Sequence, residues 1–167
     1  MSHRIAVCSG SFDPVTIGHV DIFERASRLF DELVICVFHN VRKAGFFSIE
    51  ERKRFLEEAT AHLPNVRVDA FSGLLTDYME KIHANIIVRG VRSVKDLEYE
   101  ENEAHILHHL DDSIETVFLL TNPSYSFVSS SGVRELAMFR GDVHGLVPSC
   151  VEHAVNERIA AENDKKR

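Results

Sequence analysis

Two kinds of hydrophobic pattern alternate along the chain. Short apolar runs rich in β-branched residues predict β-strands, at residues 5–8, 33–38, 66–71, 86–89 and 116–120. Longer stretches with apolar residues at helical spacing predict α-helices, at residues 18–29, 48–62, 74–83, 96–109, 129–139 and 149–161. Strands and helices therefore follow one another along most of the chain.

This alternation predicts an α/β fold. Nearly continuous apolar runs are typical of parallel strands that are covered on both faces, and alternating helices supply that cover. We expect a Rossmann-like, doubly wound parallel sheet of five strands with helices on both faces. No linker interrupts the pattern, so residues 1–167 are interpreted as a single domain with a charged C-terminal tail at 162–167. Ligands of such sheets bind beyond the carboxyl ends of the strands.

Composition narrows the range of partners. The 167 residues carry 19 Lys and Arg against 26 Asp and Glu, a net charge of −7. A pI near 5.8 argues against a nucleic-acid-binding protein. No apolar run approaches the roughly 18 residues that a membrane span requires. The three cysteines, Cys8, Cys36 and Cys150, form no CxxC pair, which favours a reduced, cytoplasmic protein.

The segment after the first strand, SGSFDPVTIGH at residues 9–19, has the features of a phosphate-binding loop. Gly10 lets the backbone approach a ligand, and Ser11 offers a hydroxyl and backbone donors at a turn. The TIGH tetrad places the His19 imidazole in the first helical turn, where exposed amides and the helix dipole favour an anion. A solvated turn is the alternative, and Asp13 could either cap this loop or contact the hydration shell of Mg²⁺.

Basic residues follow two further strands. After the second strand, Lys43 lies beside Arg42 in a glycine-containing loop that could close over a polyphosphate, although such loops are often only solvated. After the fourth strand, Arg89 and Arg92 flank a glycine and can present forked donors to phosphate oxygens. The alternative for these two arginines is ion pairing with nearby carboxylates, those of Asp96, Glu98 or Glu100.

The last strand is followed by YSFVSSSGVRE, residues 125–135. Its three consecutive serines supply an N-cap, free amides and hydroxyls, which suit a nucleotide phosphate but would equally serve as plain helix capping. His105, His108 and His109 lie at helical spacing without a convincing fourth ligand, so no metal site is predicted. The sequence also lacks a P-loop, a GxGxxG fingerprint and a GxSxG elbow.

These segments together resemble a known family. The loop SGSFDPVTIGH, the Lys43 loop, the segment IIVRGVRSVKDLEYE and the run YSFVSSSGVRE are similar to those of bacterial phosphopantetheine adenylyltransferases, within the HxGH nucleotidyltransferase superfamily. The resemblance runs in order from about residue 5 to residue 160. It departs at Ser9, where the family usually has Pro, and at Ala44-Gly45, where Lys-Pro or a similar pair is commoner.

The resemblance implies an activity, its residues and its partners. The family transfers AMP reversibly from ATP to 4′-phosphopantetheine, giving dephospho-CoA and pyrophosphate in the penultimate step of coenzyme A biosynthesis, with Mg²⁺ neutralising the triphosphate. It is typically a homohexamer inhibited by coenzyme A. By resemblance, the acceptor would be bound by Ser11, Lys43, Leu75 and Arg89, and catalysis would involve Ser11, His19, Lys43 and Arg92. ATP would be bound by Ser11, Phe12, His19, Gly90, Val91, Arg92, Glu100, Tyr125, Ser126, Phe127, Val128, Ser129, Ser130 and Ser131.

Two other functions stay open. A related enzyme could adenylylate or cytidylylate a different phosphate, such as a mononucleotide or glycerol phosphate. A catalytically idle relative could bind nucleotide or coenzyme A as a regulator. Because these loops contain cations and hydrogen-bond donors but no obvious nucleophile, the chemistry we expect is direct in-line attack of the acceptor phosphate on the α-phosphorus. That mechanism requires His19 and Arg92 to face the same cleft.

Overall fold

The computed structural model describes residues 3–38 and 45–164, with side chains up to residue 161. The strands are β1 (Ile5–Gly10), β2 (Glu32–Phe38), β3 (Val66–Phe71), β4 (Ile86–Val91) and β5 (Glu115–Leu120). The helices are α1 (Ile17–Ser27), α2 (Ile49–Ala59), α3 (Leu75–Lys81), α4 (Val94–Leu110), α5 (Ser130–Met138) and α6 (Ser149–Asp164). Each strand and helix predicted from the hydrophobic pattern is present; β3 has the predicted bounds, and the others differ from the prediction at one or both ends by a few residues.

The sheet is parallel throughout, in the order β3-β2-β1-β4-β5. This order confirms the predicted Rossmann-like fold and places its reversal between β1 and β4. β1 pairs with β2 along its whole length but pairs with β4 only at Ala6 and Val7. Beyond Val7, β1 and β4 therefore separate, and a crevice opens at the carboxyl edge where such sheets bind ligands.

Alternate strand residues enter two separate cores. Ala6 and Cys8 of β1 face a core built with α1, α2, α5 and α6, whereas Val7 between them faces a core built with α3 and α4. β2 alternates in the same way, with Ile35 in the first core and Cys36 in the second. Helices thus cover both faces of the sheet, as the apolar strands predicted. Within the part of the chain that the structure describes, no helix has the length and apolarity needed to span a bilayer.

Side-chain caps decide where two helices begin. Ser48 Oγ accepts a hydrogen bond from the Glu51 N–H at 3.1 Å, and Glu51 Oε2 accepts from the Ser48 N–H at 2.8 Å. This reciprocal capping box starts α2 at Ile49. Helix α4 begins at Val94, two residues earlier than predicted, because the Ser93 side chain accepts from the N–H of its third helical residue.

Candidate active site

A cleft of about 700 Å³ lies at the carboxyl edge of the sheet, where β1 and β4 separate. Its volume falls within the range of pockets that hold small ligands. The predicted site residues that line it are Ser11, Phe12, His19, Arg89, Gly90, Arg92, Glu100, Tyr125, Val128, Ser129, Ser130 and Ser131. His19 and Arg92 therefore face one cleft, as a direct transfer between two phosphates requires.

Four of the predicted residues that the structure describes are not part of this lining, and a fifth is not described. Val91 is buried in the protein, and Leu75 packs beside the core between the sheet and α3. Ser126 does not border the cleft, and Phe127 is 73% exposed beside a separate apolar groove. Lys43 lies outside the described residues. The binding roles of all five stay predictions.

His19 belongs to an unusual capping box at the start of α1. The Thr16 N–H donates to His19 Nδ1 at 3.0 Å, and the His19 N–H donates to Thr16 Oγ1 at 3.4 Å. The imidazole thus occupies the place that Glu or Gln takes in the common form of the motif. Because Nδ1 accepts from a backbone N–H, the neutral ring carries its proton on Nε2. The TIGH tetrad therefore fixes both the orientation and the tautomer of the imidazole.

The environment of His19 keeps it neutral. Burial, and to a smaller extent the nearby positive charge of Arg92, lower the pKa of His19 from 6.5 to about 4. The ring meets Phe12 edge-on at 5.2 Å and stacks with Phe23 at 6.3 Å between centroids. At neutral pH His19 is thus a hydrogen-bond donor through Nε2 and not a cation.

This depressed pKa predicts a pH-dependent stability. The folded pKa of about 4 lies below the ordinary value of 6.5. The stabilisation is therefore complete above pH 6.5 and is lost as the pH falls towards 4. His19→Asn keeps an acceptor at the Nδ1 position but does not titrate. Between pH 7 and pH 4.5 the wild type should lose about 2 kcal/mol of unfolding free energy relative to this variant, measured by urea denaturation. Parallel curves for the two proteins would contradict a His19 that stays neutral in the folded protein down to about pH 4.

Phe12 has a strained backbone within the loop. Its φ of 43° lies in the left-handed region, which is costly for a bulky residue. The ring lies against Gly10, where a Cβ would come within 3.1 Å of the nearest ring carbon. It also meets Phe23 of α1 edge-on at 5.5 Å. A side chain at position 10 would therefore require the Phe12 ring to shift by a few tenths of an ångström.

The two predicted arginines form ion pairs at the rim of the cleft. Arg89 Nε lies 3.3 Å from Glu100 Oε2, and Arg89 also donates to the Ser9 carbonyl at 3.0 Å. Arg92 Nε donates to Asp96 Oδ2 at 2.9 Å. The alternative interpretation of ion pairing is therefore confirmed for these contacts. These ion pairs do not take the two arginines out of the cleft, because both arginines line the cleft.

Glu100 has spare acceptor capacity in this arrangement. Its Oε2 is at ion-pair distance from Arg89 but accepts no hydrogen bond from the described residues. Burial raises the pKa of Glu100 above its usual value, and the charge of Arg89 opposes that rise. A buried acceptor without a donor is costly, so this oxygen is suited to receive a donor from a ligand.

The serine run serves both the helix and the loop. Ser129 Oγ accepts from the Gly132 N–H at 3.0 Å and so caps α5, as the plain capping alternative predicted. Ser130 Oγ donates to the Pro14 carbonyl at 2.7 Å, which ties α5 to the loop after β1. Ser129, Ser130 and Ser131 also line the cleft, so the amino end of α5 faces it.

Sequence reasoning missed several residues of the cleft. Arg134 follows the serine run by one helical turn, lines the cleft and donates to the Asp13 carbonyl at 2.6 Å. The sequence feature that could have identified Arg134 as a site residue is its position at the end of the run SSSGVR. Further lining residues outside the predicted set include Thr16, Gly18, Lys95, Asp96, Tyr99 and Thr121. Lys95, Asp96 and Tyr99 belong to α4. The apolar residues of this helix repeat too weakly along the sequence to predict which side of it faces the cleft.

Asp13 is occupied as a loop cap. Its Oδ2 accepts from the Phe46 N–H at 2.7 Å, its Oδ1 accepts from the Phe47 N–H at 2.8 Å, and Arg52 Nε lies 3.3 Å from Oδ1. The loop-capping role that the sequence offered for Asp13 is therefore confirmed, and its contact with the hydration shell of Mg²⁺ stays a prediction. Among residues 3–38 and 45–161, no group of three His, Cys, Asp or Glu side chains could hold a metal ion.

The loop after β1, the His19 imidazole and the amino end of α5 meet at one cleft of a parallel sheet, an arrangement that suits a phosphorylated ligand. Residues 7–136 match the family model described as cytidylyltransferase-like. The chain belongs to the cytidylyltransferase-like family. Helix α6 lies beyond the matched residues.

A solved structure shares this fold. It is that of a Vibrio parahaemolyticus protein described as a nicotinate-nucleotide adenylyltransferase, with a TM-score of 0.70. The match covers 95% of each chain at 16% sequence identity. At this identity the likeness concerns the fold alone.

Proposed function

We propose that the protein transfers AMP reversibly from ATP to 4′-phosphopantetheine, giving dephospho-CoA and pyrophosphate. The observation that carries the proposal is the convergence of three separated segments on one cleft. His19 comes from the loop after β1, Arg92 follows β4, and the serine run begins α5. These are the segments whose sequences resemble phosphopantetheine adenylyltransferases.

In this proposal the nucleotide phosphates lie against the amino ends of α1 and α5. His19 donates from Nε2 to an α-phosphate oxygen, and the first amides of α5 with Arg92 bind the remaining oxygens. Phe12, Gly90, Val91, Glu100 and residues 125–131 hold the rest of ATP. Charge that builds up on the α-phosphate oxygens in the transition state meets donors that are already oriented, so little reorganisation is required.

The acceptor phosphate attacks the α-phosphorus in line, without a covalent enzyme intermediate. Ser11, Lys43, Leu75 and Arg89 would hold the acceptor. A general base is unnecessary because a phosphate monoester is already ionised at neutral pH. Cys8 lines the cleft, but burial raises the pKa of its thiol to about 12, so it stays protonated and is a poor nucleophile.

Magnesium enters this proposal with ATP. The cleft carboxylates Asp96 and Glu100 pair with arginines, and no group of three ligands is present among the described side chains. A protein-built metal site does not fit these residues, whereas Mg²⁺ commonly binds chiefly through substrate phosphates. When bound there, the ion would neutralise triphosphate charge.

The assembly and regulation of the protein are also proposals. We infer a one-domain cytoplasmic homohexamer that coenzyme A inhibits. Exposed apolar side chains on α4 and α5 support assembly, since large exposed apolar patches mark interaction surfaces. They are Val94, Ile106 and Leu110 on α4 and Met138 on α5, with Phe139 directly after it.

Pyrophosphate release tests the function and its rivals. ATP and CTP are each incubated with 4′-phosphopantetheine, nicotinate mononucleotide or glycerol 3-phosphate in the presence of Mg²⁺. Release from ATP only with 4′-phosphopantetheine is the expected result. Release with nicotinate mononucleotide instead would assign the activity given for the Vibrio parahaemolyticus protein, and release with none would favour a nucleotide-binding regulator. Protein incubated with labelled ATP alone should carry no label, because the transfer is direct.

A further inference from the structure

The Ser11–Phe12 peptide is held from outside the cleft. Arg52 of α2 donates from Nη1 to the Ser11 carbonyl at 3.3 Å. Ser11 and Phe12 line the cleft, whereas Arg52 does not and is only 6% exposed. The Ser11 carbonyl therefore points into the protein, away from the space that a ligand would fill.

The opposite end of this peptide faces the cleft. The peptide is trans, so the Phe12 N–H points opposite to the Ser11 carbonyl. No acceptor within residues 3–38 or 45–164 receives this N–H. The φ of 43° at Phe12 is the backbone strain that accompanies this orientation. Strain of this kind persists only where the surrounding contacts impose it, and it is often part of a functional site.

Arg52 is itself fixed by several contacts. Its Nε donates to the Phe47 carbonyl at 2.9 Å and lies 3.3 Å from Asp13 Oδ1. Gly45 packs so closely on the guanidinium that a Cβ there would overlap it. The planar fork is thus held in one orientation, from which it can reach the Phe47 and Ser11 carbonyls simultaneously.

We propose that Arg52 is a positioning residue that holds the Phe12 amide N–H toward the nucleotide phosphate in the cleft. Arg52 touches no substrate and acts through the Ser11 carbonyl. This inference rests on the proposed nucleotide-binding function. Its effect should be largest in the transition state, where the phosphate oxygens gain charge and a misaimed donor costs most.

Arg158 provides the matched control for a merely structural role. It donates to the Phe46 carbonyl at 2.7 Å, pairs with Glu51 at 2.8 Å and lies 4.5 Å from the Phe47 ring centroid. It therefore supports the same Phe46–Phe47 turn as Arg52 but does not contact the Ser11–Phe12 peptide. Arg158→Gln should lower the melting temperature and leave kcat unchanged.

The variant that tests the proposal is Arg52→Lys. It keeps a positive charge beside Asp13, but a single ammonium cannot reach the Phe47 and Ser11 carbonyls in the geometry of the fork. We expect kcat to fall about 10- to 100-fold while the Kd for ATP changes less than threefold. In ¹H–¹⁵N spectra, ATP should shift the Phe12 amide proton downfield in the wild type and in Arg158→Gln, and much less in Arg52→Lys.

The outcomes separate the inference from the proposed function. Absence of ATP binding by the wild type would overturn both. ATP binding that leaves the Phe12 amide unmoved, or equal kcat losses in the Arg52 and Arg158 variants, would overturn the positioning role alone. If Arg52→Lys does not fold, Gly45→Ala displaces the guanidinium without removing it. An unchanged kcat and Phe12 signal in that variant would then refute the proposal.

Discussion

Replacing His19 by alanine should lower kcat by about 10²–10³, while ATP still binds. The structure holds the imidazole neutral, with Nδ1 accepting from the Thr16 N–H and the proton on Nε2. Alanine removes a donor that is oriented before the substrate arrives, and such donors matter most when charge develops on the α-phosphate. Steady-state kinetics and calorimetric titration with ATP measure the two quantities separately.

His19→Asn separates catalysis from helix capping. Its Oδ1 can accept from the Thr16 N–H as Nδ1 does, but asparagine has no donor at the Nε2 position. The alanine variant should lose about 1 kcal/mol of stability with the cap, and the asparagine variant should lose less. Both should be similarly slow. A wild-type kcat in either variant would exclude His19 from the transfer step.

The fold could be predicted from the sequence because both faces of the sheet are buried. Each strand is an apolar run such as the one ending at Cys8, and the four helices that lie between strands have the spacing of βαβ units. The errors lie at element ends. The short 3₁₀ turn Pro123–Tyr125 was not predicted, because it is set by the Asn122 side chain accepting from the Ser124 N–H, a local contact without periodicity.

The position of the cleft could also be predicted from the sequence, because parallel strands bring their carboxyl ends to one edge of the sheet. The position of His19 after β1 and of Arg92 after β4 followed from that rule alone. What the rule does not specify is the partner of each charge. Arg92 and Asp96 are only four residues apart, so their pairing could be suggested from the sequence, although Arg92 precedes α4. The Arg89–Glu100 pair was one of three alternatives that only the packing of α4 decides.

The contacts that Arg52 makes with the loop after β1 could not be predicted from the sequence. Arg52 is one of several charged residues on α2, and nothing in their spacing marks it as buried. It is buried because Asp13, far away along the chain, returns beside it when the loop after β1 packs on α2. Such long-range pairs depend on the tertiary structure and not on local pattern.

Asp13→Asn should be strongly destabilising. The Asp13 carboxylate accepts the Phe46 and Phe47 amides and neutralises Arg52, and both charged side chains are almost fully buried. In asparagine one oxygen is replaced by an NH₂ group, which would oppose one of these N–H donors and leave the Arg52 charge unpaired. Breaking a buried pair in this way costs about 3–5 kcal/mol. For a protein of this size the melting temperature should fall by roughly 8–15 °C.

Asp21→Asn is the matched control for this loss. Asp21 pairs with Arg25 at 3.1 Å on the surface of α1, so the same chemical change should shift the melting temperature by less than about 2 °C. Adding Arg52→Met to Asp13→Asn removes the orphaned charge, so the double variant should unfold at a higher temperature than additivity of the single losses predicts. Thermal unfolding followed by circular dichroism is measured for the wild type, for the single variants Asp13→Asn, Arg52→Met and Asp21→Asn, and for the double variant. A small shift for Asp13→Asn, or strict additivity in the double variant, would mean that the buried pair does not hold the loop.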